Sequence, residues 1–326
     1  MATLQELDRP IPKPLASRLG FRPESLGVLL LLGAAMAFLS PYFLSLSNFF
    51  NILLATATIG ILAIGATFVI ASAGLDLSLG SVLGLAGVVG ASLVVKLEWP
   101  WWTGVVGALG AGVAAGFVNG LLVTRARIPA FIVTLGMLGI ARGLALIIAE
   151  GRTIYGLEPE LLFIGQGRPF GVPTPAFVFL AAALIMHFVL AHTRFGKHTL
   201  VIGDNEQAAR AMGIRVERHK LALYTLSGLM AGLAGLVFMT RVNAGDPTAG
   251  LGYELTAITA AIIGGTNLFG GRASILGTFI GALIMGVLQN GLNLLAVQSY
   301  YQQMAIGAVL IFAVWLDQTA RRRREA

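Results

Sequence analysis

Four uncharged polar side chains interrupt the hydrophobic runs of this sequence and are its first candidates for chemistry. Asn119 lies in "GFVNGLLV", and Gln289, Asn290 and Asn293 lie in "GVLQNGLNLL". Gln289 and Asn293 are four residues apart, so a helix places them on one face. Because amides exchange hydrogen bonds with hydroxyl groups and with one another, the pattern predicts either a path for a polar solute or hydrogen bonding between helices.

Charged residues inside the hydrophobic runs are scarce. Asp76 lies in "GLDLSLGS", Glu254 in "GLGYEL" and Arg142 in "GIARGL". Ion-coupled carriers need such residues, because a charge in lipid is costly and is retained for function. Here Asp76 and Glu254 each precede an apolar segment whose helix they can cap. Arg142 can extend toward the membrane surface, so all three favour structural roles.

The sequence contains no recognisable catalytic or metal site. Its four histidines do not follow metal-ligand spacing. The string "GKHT" at Gly196–Thr199 is similar to a phosphate loop, but His198 follows the lysine where such a loop requires Ser or Thr. The absence of cysteine excludes disulfides and thiolate metal sites. We therefore predict no enzyme activity, no ATPase site and no bound cofactor or metal.

Composition places these residues in a membrane protein. Hydrophobic residues make up 56% of the chain and charged residues 11%, with a mean hydropathy of +0.84, whereas soluble domains carry about 25% charged residues. The 42 glycines allow helices to approach one another backbone to backbone. The composition predicts an all-α polytopic membrane protein.

Apolar runs long enough for a bilayer, about 20 residues each, predict about ten transmembrane helices. They form a transmembrane domain over 26–317, between an N-terminal tail of 1–25 and a basic C-terminal tail of 318–326. The eighth run is short and is predicted to be a half-helix or a re-entrant piece. The alternative of signal-peptide cleavage near "AMA" at Ala35–Ala37 changes nothing downstream. The predicted spans are Leu26–Leu44, Ile52–Ala71, Leu79–Val95, Trp101–Val123, Phe131–Ala149, Ala176–Ala191, Leu221–Val242, Leu255–Gly265, Ile275–Val297 and Tyr300–Leu316.

Charge orients these predicted helices, because Lys and Arg are retained in cytoplasmic loops. If both termini are cytoplasmic, all but five of the 22 basic residues lie in inner segments. The pI near 10.1 then reflects this bias and contact with anionic lipid, so no nucleic-acid partner is expected. The five exceptions are Lys96, Arg142, Arg152, Arg168 and Arg241.

One segment of the predicted cytoplasmic loop 192–220 has a soluble character. The string "GDNEQAARAMGI" at Gly203–Ile214 begins with an Asp-Asn pair that offers an N-cap, continues through alanines and ends at a glycine. It predicts about two turns of helix that a partner outside the membrane recognises. A helix lying on lipid is the alternative, but Ala208, Ala209 and Met212 form a weak apolar face for insertion.

Longer stretches carry a family resemblance. They are "GLDLSLGS", "HTRFGKHTLVIGDNEQAARAMGIRVERHKLALYTLSGLMAGLAG", "DPTAGLGYELTAITAAIIGGTNLFGGRASILGTFIGALIMGVLQNGLNLL" and the ending "YYQQMAIGAVLIFAVWLD". Together they resemble the permease subunit of ribose-type ABC sugar importers, in the branched-chain amino acid/ribose permease family. The resemblance covers nearly everything after the N-terminal tail, and its motifs are shared among importers of many sugars and polyols.

The resemblance implies a multi-pass permease of the bacterial inner membrane. In this family a short cytoplasmic coupling helix docks on a separate ATP-binding subunit, which binds the ATP, and transmits its closure to the membrane helices. A second permease chain, expected to be a copy of this one, encloses the central path, and a periplasmic sugar-binding protein delivers the solute. Ala208 and Ala209 are expected on the docking face. The residues assigned to the coupling helix are Asn205, Glu206, Ala208, Ala209, Arg210, Met212 and Gly213.

Two predicted outer loops, Glu150–Pro173 and Asn243–Glu254, are long, polar and rich in Gly and Pro. They are predicted to be the landing surfaces for the binding protein. Two alternatives stay open for the function. One is an ABC permease for another solute, such as a branched-chain amino acid, a nucleoside or a furanosyl signal molecule, and the other is an ion-coupled secondary sugar carrier.

Overall fold

The computed structural model describes residues 23–325 and confirms the all-α class. The strands are β1 (Ile154–Tyr155) and β2 (Ala244–Gly245). The helices are α1 (Pro23–Leu39), α2 (Leu46–Ala71), α3 (Leu79–Ala91, continued by the π-helix Ser92–Lys96), α4 (Trp101–Thr124), α5 (Ala130–Ile148), α6 (Pro159–Gln166), α7 (Thr174–His192), α8 (Arg194–Asp204), α9 (Glu206–Ala211), α10 (Val216–Val242), α11 (Tyr253–Ile263), α12 (Ile275–Leu294) and α13 (Ser299–Glu325).

Seven helices of the described chain are long and apolar enough to cross a membrane, namely α2, α3 with its π-helical end, α4, α5, α7, α10 and α12. The polytopic character is therefore confirmed. Two further apolar helices, α1 and α11, are shorter. The count of ten requires α1, α11 and α13 to cross as well, and it stays a prediction.

The structure describes the two predicted tails to different extents. The N-terminal tail, 1–25, lies outside the described residues except for its last three. The basic C-terminal tail, 318–326, continues α13 as a helix through Glu325. Its alanine and arginines favour a helix, so the helix does not end where the apolar run ends.

The core of the bundle consists of α2 and α3 with α10 beside them. In the apolar windows of α2 and α3, 83% and 78% of the residues are buried, against 28% in α5 and in α7. Helix α10 packs against α2, α3 and α4. A helix that is apolar on all sides and buried belongs to the interior of a bundle, whereas α5 and α7 present most of their surface outward.

Glycines bring α4 and α10 into backbone contact, as the composition predicts. Gly112 and Gly116 of α4 face Gly228 and Gly232 of α10. A methyl group on Gly112 would lie 2.7 Å from the Cα of Gly232, and one on Gly116 would lie 2.9 Å from the Cα of Gly228. Larger side chains would force this pair of helices apart.

Two broken elements meet inside the bundle. Helix α2 leads through residues 72–78 into the short α3, and α10 leads through residues 243–252 into the short α11. Arg241, near the end of α10, donates to the Leu54 carbonyl oxygen near the start of α2 at 3.1 Å, so α2 and α10 are antiparallel. The short helices begin side by side, because a methyl group on Gly80 or on Gly250 would meet the carbonyl oxygen of the other. The unit of α2 and α3 and the unit of α10 and α11 are therefore inverted relative to each other, an arrangement that transporters use.

The segment predicted as the outer loop Asn243–Glu254 lies inside the protein. Only Thr248 and Leu251 of it are exposed. A methyl group on Gly245 would lie 2.6 Å from the Cβ atom of Ala91, which places the segment along α3. Its prediction as an exposed landing surface is wrong, because its glycines serve close packing and not solvent exposure.

The other predicted outer loop, Glu150–Pro173, is exposed along much of its length. Strand β1 joins it to β2 with Ile154 opposite Gly245 in an antiparallel pair. The Leu157 amide donates to Asn243 Oδ1 at 3.1 Å. The aromatic side chains of Tyr155 and Phe170 are 69% and 99% exposed, so this loop presents a surface to its surroundings. We call the end of the bundle with β1 and β2 the strand end.

Candidate coupling helix and buried polar cluster

The predicted short helix is present as α9. The Asn205 Oδ1 atom accepts from the Ala208 amide at 3.0 Å and caps its N-terminus. Gly213 follows the helix with a φ of 81°, a left-handed conformation that glycine adopts without strain. Local capping residues therefore determine both ends of this helix. The helix projects from the end of the bundle opposite the strand end. We call this the α9 end.

The structure places Ala208 and Ala209 on different faces of α9, whereas both were expected on the docking face. Ala209 is fully buried and packs in one cluster with Ile202 and Val216. Ala208 is exposed, and Met212 is 64% exposed. The expectation that Ala209 lies on the docking face is wrong, because its methyl group holds α9 on α8 and α10.

Ion pairs tie α9 to the start of α10. Glu206 pairs with Lys220 at 2.6 Å and with Arg210 at 2.7 Å, and Arg210 also pairs with Glu217. The hydrogen bond from Lys220, with a second from Arg210, holds the pKa of the Glu206 carboxyl below its ordinary range. The helix is thus fixed by a charge network on one side and by Ala209 on the other.

The end of α8, just before α9, contacts the end of α2 and the loop before α12 through backbone atoms. A methyl group on Gly203, at the end of α8, would lie 2.6 Å from the Gly271 amide nitrogen and would also meet the Ala71 carbonyl oxygen. The Gly271 amide donates to that same carbonyl oxygen at 3.0 Å. The last residue of α2 and the loop before α12 therefore meet directly under α9.

A buried polar cluster fixes the stretch between α2 and α3. Asp76, 3% exposed, accepts from the Ser78 amide at 3.0 Å and from the Ser78 hydroxyl at 2.6 Å through Oδ1. Its Oδ2 accepts from the Ser227 hydroxyl of α10 at 2.8 Å. Ser78 is the N-cap of α3 and makes no side-chain capping bond. The prediction that Asp76 caps α3 is therefore wrong, since its carboxylate joins the connector to α10.

Asn119 belongs to this cluster and not to an open path. Its Nδ2 donates to the Ser78 hydroxyl at 3.0 Å, and the residue is fully buried. Its Oδ1 has no hydrogen-bond partner among the described residues. Sequence reasoning missed Ser78, before α3, and Ser227, within α10, because a lone serine in a glycine-rich stretch gives no signal of a distant carboxylate.

A second group of polar contacts holds the segment that leads to α11. Arg142 donates from Nη1 to the Pro247 carbonyl oxygen at 2.5 Å and to the Ala249 carbonyl oxygen at 2.8 Å. It turns inward, so its predicted extension to the membrane surface is wrong. Glu254 lies in the first turn of α11, where a carboxylate is favoured by the helix dipole. The N-cap of α11 is Gly252 and the helix has no side-chain capping bond, so the prediction that Glu254 caps this helix is wrong, and only its place in the first turn is as expected.

The amides predicted on α12 have separate environments. Asn290 and Asn48 exchange two hydrogen bonds, of 2.8 and 3.0 Å, between α12 and α2. Asn293 is exposed and accepts from Gln302 at 2.8 Å. Gln289 is half-buried. The structure brings these three together near the C-terminal end of α12 and leaves Asn119 apart from them.

The described residues contain no group of three or more His, Asp or Glu that could hold a metal ion.

Comparison with known proteins identifies the family of the chain. Residues 48–314 match the family described as the permease component of branched-chain amino acid transport systems. No solved structure matches the chain at a significant level.

Curated relatives match along most of the chain. The ribose import permease protein of Escherichia coli K12 is 44% identical over 298 residues, which cover 90% of this chain and 92% of the relative. The Bacillus subtilis ribose import permease is 42% identical, over 89% of this chain and 90% of its own. The D-allose permease of E. coli K12 is 38% identical with the same coverage. This chain is therefore a member of the branched-chain amino acid transport system permease family, and it is a multi-pass membrane protein.

Proposed function

We propose that this chain is the permease subunit of an ABC importer that moves a monosaccharide across the bacterial inner membrane. The observation that carries the proposal is α9, a capped and ion-paired helix projecting from an otherwise apolar bundle. Relatives whose names give ribose, allose or arabinose as cargo support the choice of a sugar. ATP is bound and hydrolysed by a separate subunit that docks on α9, and no cofactor is needed in this chain.

The contacts under α9 give the coupling step its physical basis. A docked ATP-binding subunit moves α9, which Ala209 and the Glu206 ion pairs hold as one piece with α8 and α10. Gly203 then presses on the end of α2 and on the loop that precedes α12. Closure of the ATP-binding subunits is thereby passed to helices that cross the membrane.

The proposed topology has ten membrane crossings and both termini in the cytoplasm, with α9 on the same side. The retention of basic residues on that side supports it. A reporter enzyme that is active only in the cytoplasm should give a signal when it is fused after Ala326 and no signal when it is inserted beside Tyr155. Equal signals from both fusions would contradict the topology.

Passage of the solute requires a second permease chain, which we propose is a copy of this one. Gln289 and Asn293 are proposed to exchange transient hydrogen bonds with sugar hydroxyls. The double variant Gln289→Leu with Asn293→Leu should slow uptake while the ATP-binding subunit still copurifies, because an unpaired desolvated hydroxyl costs about 1–3 kcal/mol. Unchanged uptake would assign both amides to helix packing.

We propose that the binding protein docks at the strand end. Tyr155, Phe163 and Phe170 are exposed there, and exposed aromatic side chains are enriched in protein interfaces. Specificity for the sugar then lies largely in the binding protein.

The decisive experiment coexpresses the chain with its ATP-binding subunit and its binding protein and measures uptake of labelled ribose, allose and arabinose. Ala208→Trp on the exposed face of α9 should abolish uptake and copurification of the ATP-binding subunit. Ala126→Trp, the same change at an exposed position between α4 and α5, is the matched control and should retain both. Full activity of Ala208→Trp would contradict docking on α9.

The family description favours one further candidate, an importer of branched-chain amino acids. Competition of sugar uptake by unlabelled leucine separates the two candidates. Leucine uptake without sugar uptake would replace the sugar by an amino acid and leave the coupling proposal unchanged.

A further inference from the structure

A cavity of about 500 Å³ opens beside α9, between α8 and α10. Its size is within the range of specific binding pockets, about 300–1,000 Å³. The turn from α9 into α10 forms one wall. Among the residues around it are Phe195, Met212, Gly213, Arg215, Arg218 and His219.

The cavity carries positive charge that its surroundings do not neutralise. Arg215 and Arg218 are exposed and make no ion pair with any described residue. Their neighbours Arg210 and Lys220 are both paired, with Glu206 in common. Glu206 and Glu217 are thus both engaged in holding α9, and the two arginines at the cavity are left for an external partner.

Two aromatic rings form part of the cavity wall. The Phe195 and His219 rings lie 4.5 Å apart, and the Thr199 hydroxyl lies 2.8 Å from His219 Nε2. The two rings pack together on one side, and the arginines line the same opening. A ligand that fits must combine a carboxylate or similar anion with some apolar surface.

We propose that this cavity accepts an acidic segment of the ATP-binding subunit that docks on α9, so that the coupling interface has two anchor points. The inference rests on the proposed function. Met212 and Gly213 belong both to the end of α9 and to the cavity wall, so a protein that covers α9 also covers the cavity mouth. Charge pairs enclosed in an interface fix the register of the two partners, which a six-residue helix alone does weakly.

The test measures binding of the purified ATP-binding subunit to the full-length permease in lipid nanodiscs. Arg215→Glu with Arg218→Glu should weaken binding at least tenfold, which corresponds to about 1.4 kcal/mol. Arg125→Glu, a charge reversal at an exposed arginine after α4, is the matched control and should change binding less than twofold. Arg215→Gln with Arg218→Gln should give an intermediate loss and guards against a folding defect of the reversed variant.

A labelling experiment provides an independent readout, because the chain has no cysteine of its own. Arg218→Cys should react with a maleimide in the permease alone and should be protected at least fivefold when the ATP-binding subunit is bound. Arg125→Cys is the matched control for labelling in the cytoplasm and should react equally in both states.

The outcomes separate the inference from the proposed function. If the wild-type permease fails to bind the ATP-binding subunit, the proposed function is wrong. If it binds and the charge-reversed variant binds equally well, or Arg218→Cys stays reactive in the complex, the cavity proposal is wrong and α9 docking stands. If the charge reversal matters in anionic nanodiscs and has no effect in neutral ones, a lipid headgroup occupies the cavity and the proposal is overturned.

Discussion

Substitution of Gly112 by alanine tests whether the contact between α4 and α10 is as tight as the structure shows. The added methyl group would lie 2.7 Å from the Cα and the amide nitrogen of Gly232 and would also meet the Gly228 carbonyl oxygen. Ordinary van der Waals contact begins at 3.4 Å. The difference between these distances is about 0.7 Å, and because the Gly228 carbonyl oxygen lies closer still, the two helices must separate by at least that much. No side-chain rotation can relieve the contact, because its atoms are backbone.

Two opposing effects determine the size of the change. Alanine in a helix interior is favoured over glycine by about 0.5–1 kcal/mol, because glycine loses more conformational freedom on folding. Overpacking of a tight core costs about 1–3 kcal/mol. We expect Gly112→Ala to lower the free energy of unfolding by roughly 1–2 kcal/mol, since the steric cost exceeds the propensity gain.

The matched control lies on the same helix. A methyl group on Gly110 has no heavy atom within 4 Å, so Gly110→Ala keeps the propensity gain without the clash and should be neutral or stabilising. Both variants are compared by reversible SDS unfolding in mixed micelles. If Gly112→Ala is as stable as Gly110→Ala, the backbone contact between α4 and α10 does not exist as described.

Three further predictions concern other contacts. Asn48→Leu should destabilise the protein in the same SDS assay by about 1 kcal/mol by leaving the Asn290 amide and the Phe43 carbonyl oxygen without their partner, and adding Asn290→Leu should recover the part that belongs to the amide pair. Because Lys220 and Arg210 lower the pKa of Glu206 from 4.5, its charge stabilises α9 at neutral pH and is lost only as the pH falls below that value; a spin label on Ala208→Cys should stay immobile at neutral pH, become mobile in acid, and be mobile at both in a Glu206→Gln background. Arg142→Leu should lower the free energy of unfolding by about 1–3 kcal/mol, because two buried carbonyl oxygens lose their charged donor, whereas a wild-type value would show that the loop is held without it.

Features specified by local sequence could be predicted. The ends of α9 follow from Asn205 and Gly213, whose side-chain oxygen and left-handed φ act within the helix itself. Each apolar run coincides with a helix, and every predicted end except the C-terminal end of α13 lies within about six residues of the observed one, because helices of a membrane protein need about 20 apolar residues to cross a bilayer. The shortness of the eighth run correctly indicated α11, an eleven-residue helix.

Features specified by distant partners could not be predicted. Gly245 and Gly250 resemble loop glycines in sequence, and only their contact with α3 shows why the segment is buried. Asp76 stands where a capping residue belongs, yet Ser227, 151 residues away, accounts for its orientation. Ala209 gives no sign in sequence of which side of a short helix faces inward. For the glycines and Asp76 the deciding contact joins residues far apart in the chain, whereas for Ala209 it depends on how α8 and α10 fold back around the short helix to bring Ile202 and Val216 together.

The contact of Gly203 with Ala71 and Gly271 has a consequence for how far a movement travels. Side chains at an interface absorb small displacements by changing rotamer, whereas backbone atoms have no rotamers and already touch here. A displacement of this end of α8 would therefore press directly on the end of α2 and on the loop before α12. These three residues form a stiff joint, and under the proposed function the stiffness of this joint determines how far a movement of the docked subunit reaches into the bundle.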